Sequence, residues 1–97
     1  MNLHIIHKSA HHHASATDAL PMINKDDFVM FIDEGIYNSI ENTAIAEAFI
    51  EKSPHCYYLQ EHADARGIKK TSTQIKAASM TDFVQFSLQA THNISWY

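Results

Sequence analysis

Hydrophobic residues are spaced along this chain in two alternating rhythms. Residues 2–7, NLHIIH, place Leu3, Ile5 and Ile6 in a short extended run. The clearest strand is DFVMFID at 27–33, whose five consecutive apolar residues predict burial on both faces, as in the middle of a parallel sheet. HCYYLQ at 55–60, QIKAAS at 74–79 and NISWY at 93–97 read as further strands. Between them the period changes. Ala10, Ala14 and Leu20 mark a modest helix face that Pro21 ends, and NKDD after it is a polar turn. Ile36, Ile40, Ala44, Ile45, Ala48 and Phe49 fall on one stripe, which predicts a helix over 36–51 stopped at Ser53-Pro54. EHADARG reads as one or two helical turns closed by Gly67. Ser79 and Asp82 fit a capping box, and Met80, Phe83, Val84, Ser87 and Leu88 give the helix after it an inward face.

Strands and helices alternating at this spacing require right-handed crossovers. The expected fold class is α/β: a small, three-layer, mostly parallel sheet with helices on both faces. The 97 residues fit a single domain over 1–97. With 45% hydrophobic residues and ten aromatics, the chain can build a core without metals or disulfides. No apolar run reaches the roughly 18–20 residues of a membrane-spanning helix. Histidines stand where a signal peptide would need apolar residues, so the expected location is the cytoplasm, away from membranes.

Charge narrows the chemistry. The net charge is −4, which disfavours direct nucleic-acid binding, since that needs a clustered positive surface. Arg66, Lys69 and Lys70 form the only basic cluster, and it is small. Eight histidines bring the net charge toward zero near the sequence pI of about 6.0.

Three of those histidines, His11, His12 and His13, are consecutive. Consecutive residues point about 100° apart on a helix and to opposite sides on a strand. They cannot all reach one ion from regular structure, and the spacing fits no zinc motif. A surface loop or helix start is expected, with His11–His13 kept only as weak metal candidates. Cys56, the single cysteine, excludes an internal disulfide. It sits inside a predicted strand with His55 and Tyr57 as neighbours, which favours a buried structural thiol and leaves it a weak catalytic candidate. Asp33-Glu34-Gly35 ends the central strand, at the sheet edge where open parallel sheets bind ligands. Neither GxGxxG nor GxxxxGK[ST] is present, so no nucleotide cofactor is expected. Ser9 or Ser15 with Asp18 and nearby histidines does not make a triad by proximity in sequence. Trp96-Tyr97 at the end of the last strand suits either a core cap or a subunit contact.

Four segments together resemble the TusB/DsrH family of small sulfur-relay subunits. LHIIHKS at 3–9 is similar to the family opening LHxxHrS, and DFVMFIDEGIY at 27–37 to its apolar strand and acid-glycine turn. YYLQEHADARGI at 57–68 resembles Y-a-L-x-x-D-x-x-A-R-G-l, and MTDFVQFSLQATHNISWY resembles an ending Y-t-D-F-V-x-L-t closed by tryptophan. The resemblance implies a compact, DsrE-like α/β fold. It also implies two homologous partners, TusC/DsrF-like and TusD/DsrE-like, joined in a TusBCD/DsrEFH-type heterohexamer. Such complexes pass persulfide sulfur toward 2-thiolation of the wobble uridine in tRNA or, in the Dsr system, serve sulfur oxidation. The principal persulfide cysteine belongs to the TusD/DsrE-type subunit. Some DsrH-type chains carry a cysteine after the first strand, whereas residues 8–22 here have none, which favours a non-catalytic subunit. His4 and His7 match the family opening and become candidates for a structural or interface role, with Trp96 and Tyr97 beside them. The competing expectation is a homo-oligomeric metal- or small-molecule-binding module built on His11–His13.

Overall fold

Five strands form one sheet in the order β4-β3-β2-β1-β5, and every pairing is parallel. The computed structural model describes residues 1–97. The strands are β1 (Asn2–Ile6), β2 (Phe28–Phe31), β3 (Cys56–Leu59), β4 (Lys76–Ala78) and β5 (His92–Trp96). The helices are α1 (Ser15–Ala19), α2 (Ala44–Lys52), α3 (Gln60–Ala65) and α4 (Met80–Gln89). The expected α/β class, with helices on both faces of a parallel sheet, is the observed one.

The topology decides which helix lies where. From β1 to β4 each step moves to the next strand in one direction, so right-handed crossovers keep α1, α2 and α3 on one face. The return from β4 to β5 runs the opposite way and carries α4 to the other face. The core divides accordingly. Ile6, Val29, Phe31 and Cys56 face Ala16, Ala19, Ala46, Phe49 and Ala63 of the three-helix side. Leu3, Ile5, Met30, Ile32, Leu59 and Ala78 face Phe83, Phe86 and Ala90 on the α4 side. Alternate residues of β2 therefore enter opposite cores, as its unbroken apolar run predicts.

Three details differ from the sequence pattern. The first α-helix stops at Ala19, ahead of Pro21 as expected, but the chain continues into a 3₁₀ turn, Leu20–Met22, whose first turn holds Pro21 where a missing N–H is harmless. The helix expected over 36–51 is two elements. A 3₁₀ helix occupies Asp33–Ser39, the chain extends at Ile40 to bridge Thr71, and Asn42 takes φ 61° before Thr43 starts α2. The Thr43 side chain accepts the Ala46 N–H at 3.3 Å, so the break contains its own N-cap. The third difference is the inward face of α4. Phe83 and Phe86 turn toward the sheet, with Phe86 edge-on to Phe28 at 5.0 Å and tilted against Tyr57 at 4.8 Å. Met80, Val84 and Leu88, expected inside, are exposed. Phe86 finds aromatic partners in Phe28 and Tyr57 that the Met80–Leu88 stripe lacks, and these contacts set the rotation of the helix.

Other local signals hold. Ser79 and Asp82 exchange both bonds of the capping box. Gly67 has φ 67°, and Gly67 N–H and Ile68 N–H donate back to Asp64 and Ala63 carbonyls, the paired bonds of a Schellman end. No helix is long and apolar enough to cross a membrane.

Candidate functional site

Parallel strands bring their carboxyl ends to one rim, and here the rim collects polar chemistry from β1, β2 and β3. His7 follows β1, Asp33 and Glu34 follow β2, and His62 lies in the first turns of α3 directly after β3. Gly35 allows the approach. Its N–H donates to the His7 carbonyl at 3.1 Å, and a Cβ there would collide with the Ile6 carbonyl. Asp33 takes φ 50°, a left-handed conformation that a non-glycine residue adopts at a cost. Its N–H donates to His62 Nδ1 at 2.8 Å, which places the His62 ring proton on Nε2.

The Asp33 carboxylate stands between two imidazoles, 3.4 Å from His62 Nδ1 and 3.6 Å from His7 Nδ1. His7 stacks on Tyr97 with ring centroids 4.4 Å apart, and its Nε2 is buried without a hydrogen-bond partner. His13 lies 3.7 Å from Glu34. Beside this cluster, Ser9, His11, His12, Glu34, Tyr37 and Arg66 line an open hollow of about 370 Å³. Arg66 sits over the Tyr37 ring at 5.7 Å. Buried Asn38 fixes the loop above β1, accepting the Ala10 N–H at 3.0 Å and donating to the Lys8 carbonyl at 2.9 Å.

The sequence candidates separate clearly in space. His11, His12 and His13 are exposed on a turn pinned by Ser9, whose hydroxyl accepts the His11 N–H and whose carbonyl accepts those of His12 and His13. No group of three or more His, Cys, Asp or Glu side chains is placed to hold a metal ion. Neither the Ser9 nor the Ser15 hydroxyl bonds a histidine ring; that of Ser15 is buried and unpartnered. Cys56 is 1% exposed, with Sγ 3.3 Å from the Ser53 carbonyl oxygen and 3.5 Å from that of Phe49. Burial pushes its thiol up to about 12, so the thiolate needed for sulfur chemistry is strongly disfavoured.

His4 and His7, adjacent in the opening motif, part company. His4 is fully buried, so it offers no surface to a partner. Its Nδ1 accepts the Trp96 indole N–H at 3.2 Å and its Nε2 faces Asp27 Oδ2 at 3.0 Å. The ring is thus the neutral Nε2–H tautomer, donating to Asp27. Desolvation by burial acts to raise the Asp27 carboxyl, but hydrogen bonds from the Asn2 and Asn24 N–H groups and from His4 outweigh it and hold the acid below its usual range. Trp96 is half-buried against the three-helix core, and Tyr97 is exposed over His7.

His62 and Tyr37 were not singled out by the sequence. The signal for His62 was its position: it stands where the pattern Y-a-L-x-x-D-x-x-A-R-G-l carries its acid. Arg66, read as part of a solvated basic cluster, is also a wall of the hollow.

The fold and the carboxyl rim define a small α/β domain with acid-base side chains at the strand ends and no thiol among them. Residues 8–93 match the family model described as DsrH like protein, and the chain belongs to the DsrH family. It is 26% identical over 76 residues to Protein TusB of Photorhabdus laumondii, spanning 77% of this chain and 80% of that protein. Protein TusB of Erwinia tasmaniensis is 24% identical over 78 residues, spanning 79% and 82%. The crystal structure of ychN protein from E. coli shares the fold with a TM-score of 0.77, at 13% identity and 99% coverage of both chains.

Proposed function

We propose that this chain is a non-catalytic subunit of a cytoplasmic sulfur-relay complex of the TusBCD/DsrEFH type, acting in 2-thiolation of the tRNA wobble uridine. Membership of the DsrH family and likeness to two TusB proteins support the relay. The observation that carries the non-catalytic role is Cys56. A persulfide carrier must present a reachable thiolate, and the one thiol of this chain is buried with its ionisation suppressed. The reactive cysteine then belongs to a TusD/DsrE-like partner. This chain, with a TusC/DsrF-like subunit, completes a heterohexamer that holds that cysteine in place.

Affinity purification from the native cell followed by native mass spectrometry tests the assembly. Two other small subunits, one with a reactive cysteine, are expected to co-purify; recovery of this chain alone would overturn the reading. Cys56→Ala is expected to leave sulfur transfer by the assembled complex unchanged. Loss of transfer in a complex that still assembles would make Cys56 a carrier.

A further inference from the structure

One imidazole at the rim holds backbone rather than a side chain. The Asp33 N–H donates to His62 Nδ1 at 2.8 Å, so that nitrogen is a bare acceptor and the bond requires a neutral ring. The bond matters because Asp33 takes φ 50°, a conformation disfavoured for any residue with a side chain. The same residue offers the ring a second partner. Its carboxylate oxygen Oδ1 lies 3.4 Å from the same Nδ1, lone pair facing lone pair, while Oδ2 is 3.6 Å from His7 Nδ1. One ring nitrogen therefore faces a donor and an acceptor of one residue, and a single proton decides which of the two it can bind.

The other charged and titratable groups around the ring are engaged elsewhere. In the 3₁₀ helix packed against α3, Glu34 faces His13 at 3.7 Å and Tyr37 lies under Arg66 of α3. On α3 itself, Asp64 accepts from Gln60 at 2.7 Å, and Glu61 stands about 100° round the helix from His62. From β3, the Tyr58 hydroxyl donates to Gln60, and Tyr57 packs on the α4 side of the sheet. Asp33 is thus the carboxylate that meets the ring. The His62 side chain is 31% exposed, so protons reach it from solvent.

We propose that His62 is a proton-operated latch on the Asp33 turn. With the ring neutral, Nδ1 holds the Asp33 N–H and the turn is locked in its left-handed form. A proton taken from solvent onto Nδ1 makes the ring a cation with two donors and no acceptor. Nδ1–H then opposes the Asp33 N–H, and that bond breaks. The ring instead donates to the Asp33 carboxylate in a charge-assisted bond and draws it from His7. Asp33 joins β2 to the 3₁₀ helix that carries Glu34 and Tyr37 to the hollow, so the released turn reshapes one wall of it. The latch couples the rim to pH through one local exchange of partners. It is a property of this chain alone and does not rest on the sulfur-relay reading.

Heteronuclear NMR of the purified chain, titrated from about pH 8 to about pH 5, reads both halves of the exchange. At the upper end the ring nitrogen shifts are expected to show His62 as the Nε2–H tautomer. On acidification the Asp33 amide is expected to shift in step with the His62 ring. Its hydrogen-exchange protection factor is expected to drop about tenfold, the scale of one hydrogen bond. His62→Asn keeps an acceptor oxygen near the Nδ1 position and takes up no proton, so its Asp33 amide is expected to stay steady across the range. His7→Asn is expected to leave the step in place; loss of the step there would assign it to His7 and sink the latch. A neutral His62 with its proton on Nδ1, an Asp33 amide indifferent to the ring titration, or a step that survives in His62→Asn would each overturn it. If His62→Asn does not fold, the wild-type tautomer and the coincidence of the two wild-type midpoints decide.

Discussion

At the scale of single residues, the two titratable groups with the clearest perturbations act on stability and reactivity rather than on a substrate. Asp27 is 3% exposed and held below its ordinary value of 3.8. An acid whose folded pKa lies below its unfolded one stabilises the fold at neutral pH, and that contribution fades as pH falls through the folded pKa. Urea midpoints are therefore expected to fall below about pH 4. Asp27→Ala, which leaves the Asn2 and Asn24 N–H groups and the His4 ring without an acceptor, is expected to cost about 2–4 kcal/mol at pH 7. It should also flatten the acid limb of the stability curve. Cys56 gives a kinetic signature: native protein at pH 8 is expected to resist iodoacetamide while urea-unfolded protein labels readily, as followed by intact-mass spectrometry. Rapid native labelling would show a route to the thiol that its burial denies.

Elements explain what was legible in the sequence and what was not. β2 declared itself because five apolar residues in a row need apolar cover on both faces, and α3 and α4 because Gly67, Ser79 and Asp82 act through bonds within a few residues. The break before α2 was hidden because Ile36, Ile40 and Ala44 continue a helical stripe across it. What interrupts the helix is the bridge of Ile40 to Thr71, thirty-one positions away, together with the left-handed turn at Asn42. Thr43→Ala is expected to cost about 1 kcal/mol through the lost cap. Asn42→Gly is expected to be neutral or slightly stabilising, since glycine takes positive φ freely; thermal unfolding of both variants checks the pair. The rotation of α4 was hidden for another reason. Two apolar stripes share that helix, and only the aromatic partners Phe28 and Tyr57, supplied by other strands, choose between them. The rim was legible only in part: Asp33 could be placed at the end of the central strand and His7 named, but their meeting with His62 could not, since the three are neighbours only because three strands end together.

Across the whole molecule, cover is unequal. Three helices share one face of the sheet, whereas α4 alone spans the other and has no fully buried residue. Amide hydrogen exchange is expected to show α4 opening well before β1, β2 and β3, whose residues fill both cores; equal protection would mean that α4 is held more firmly than its packing indicates. The strand order has a consequence for biosynthesis. β1 is the first strand to leave the ribosome, yet one of its two neighbours is β5, paired from Asn2↔His92 to Ile6↔Trp96. The strands β1 to β4 can gather while translation proceeds, but one flank of β1 stays open until β5 has been made. A chain that has not yet reached His92–Trp96 thus holds four strands of its sheet and both cores in outline, with the first-made strand still waiting for a neighbour.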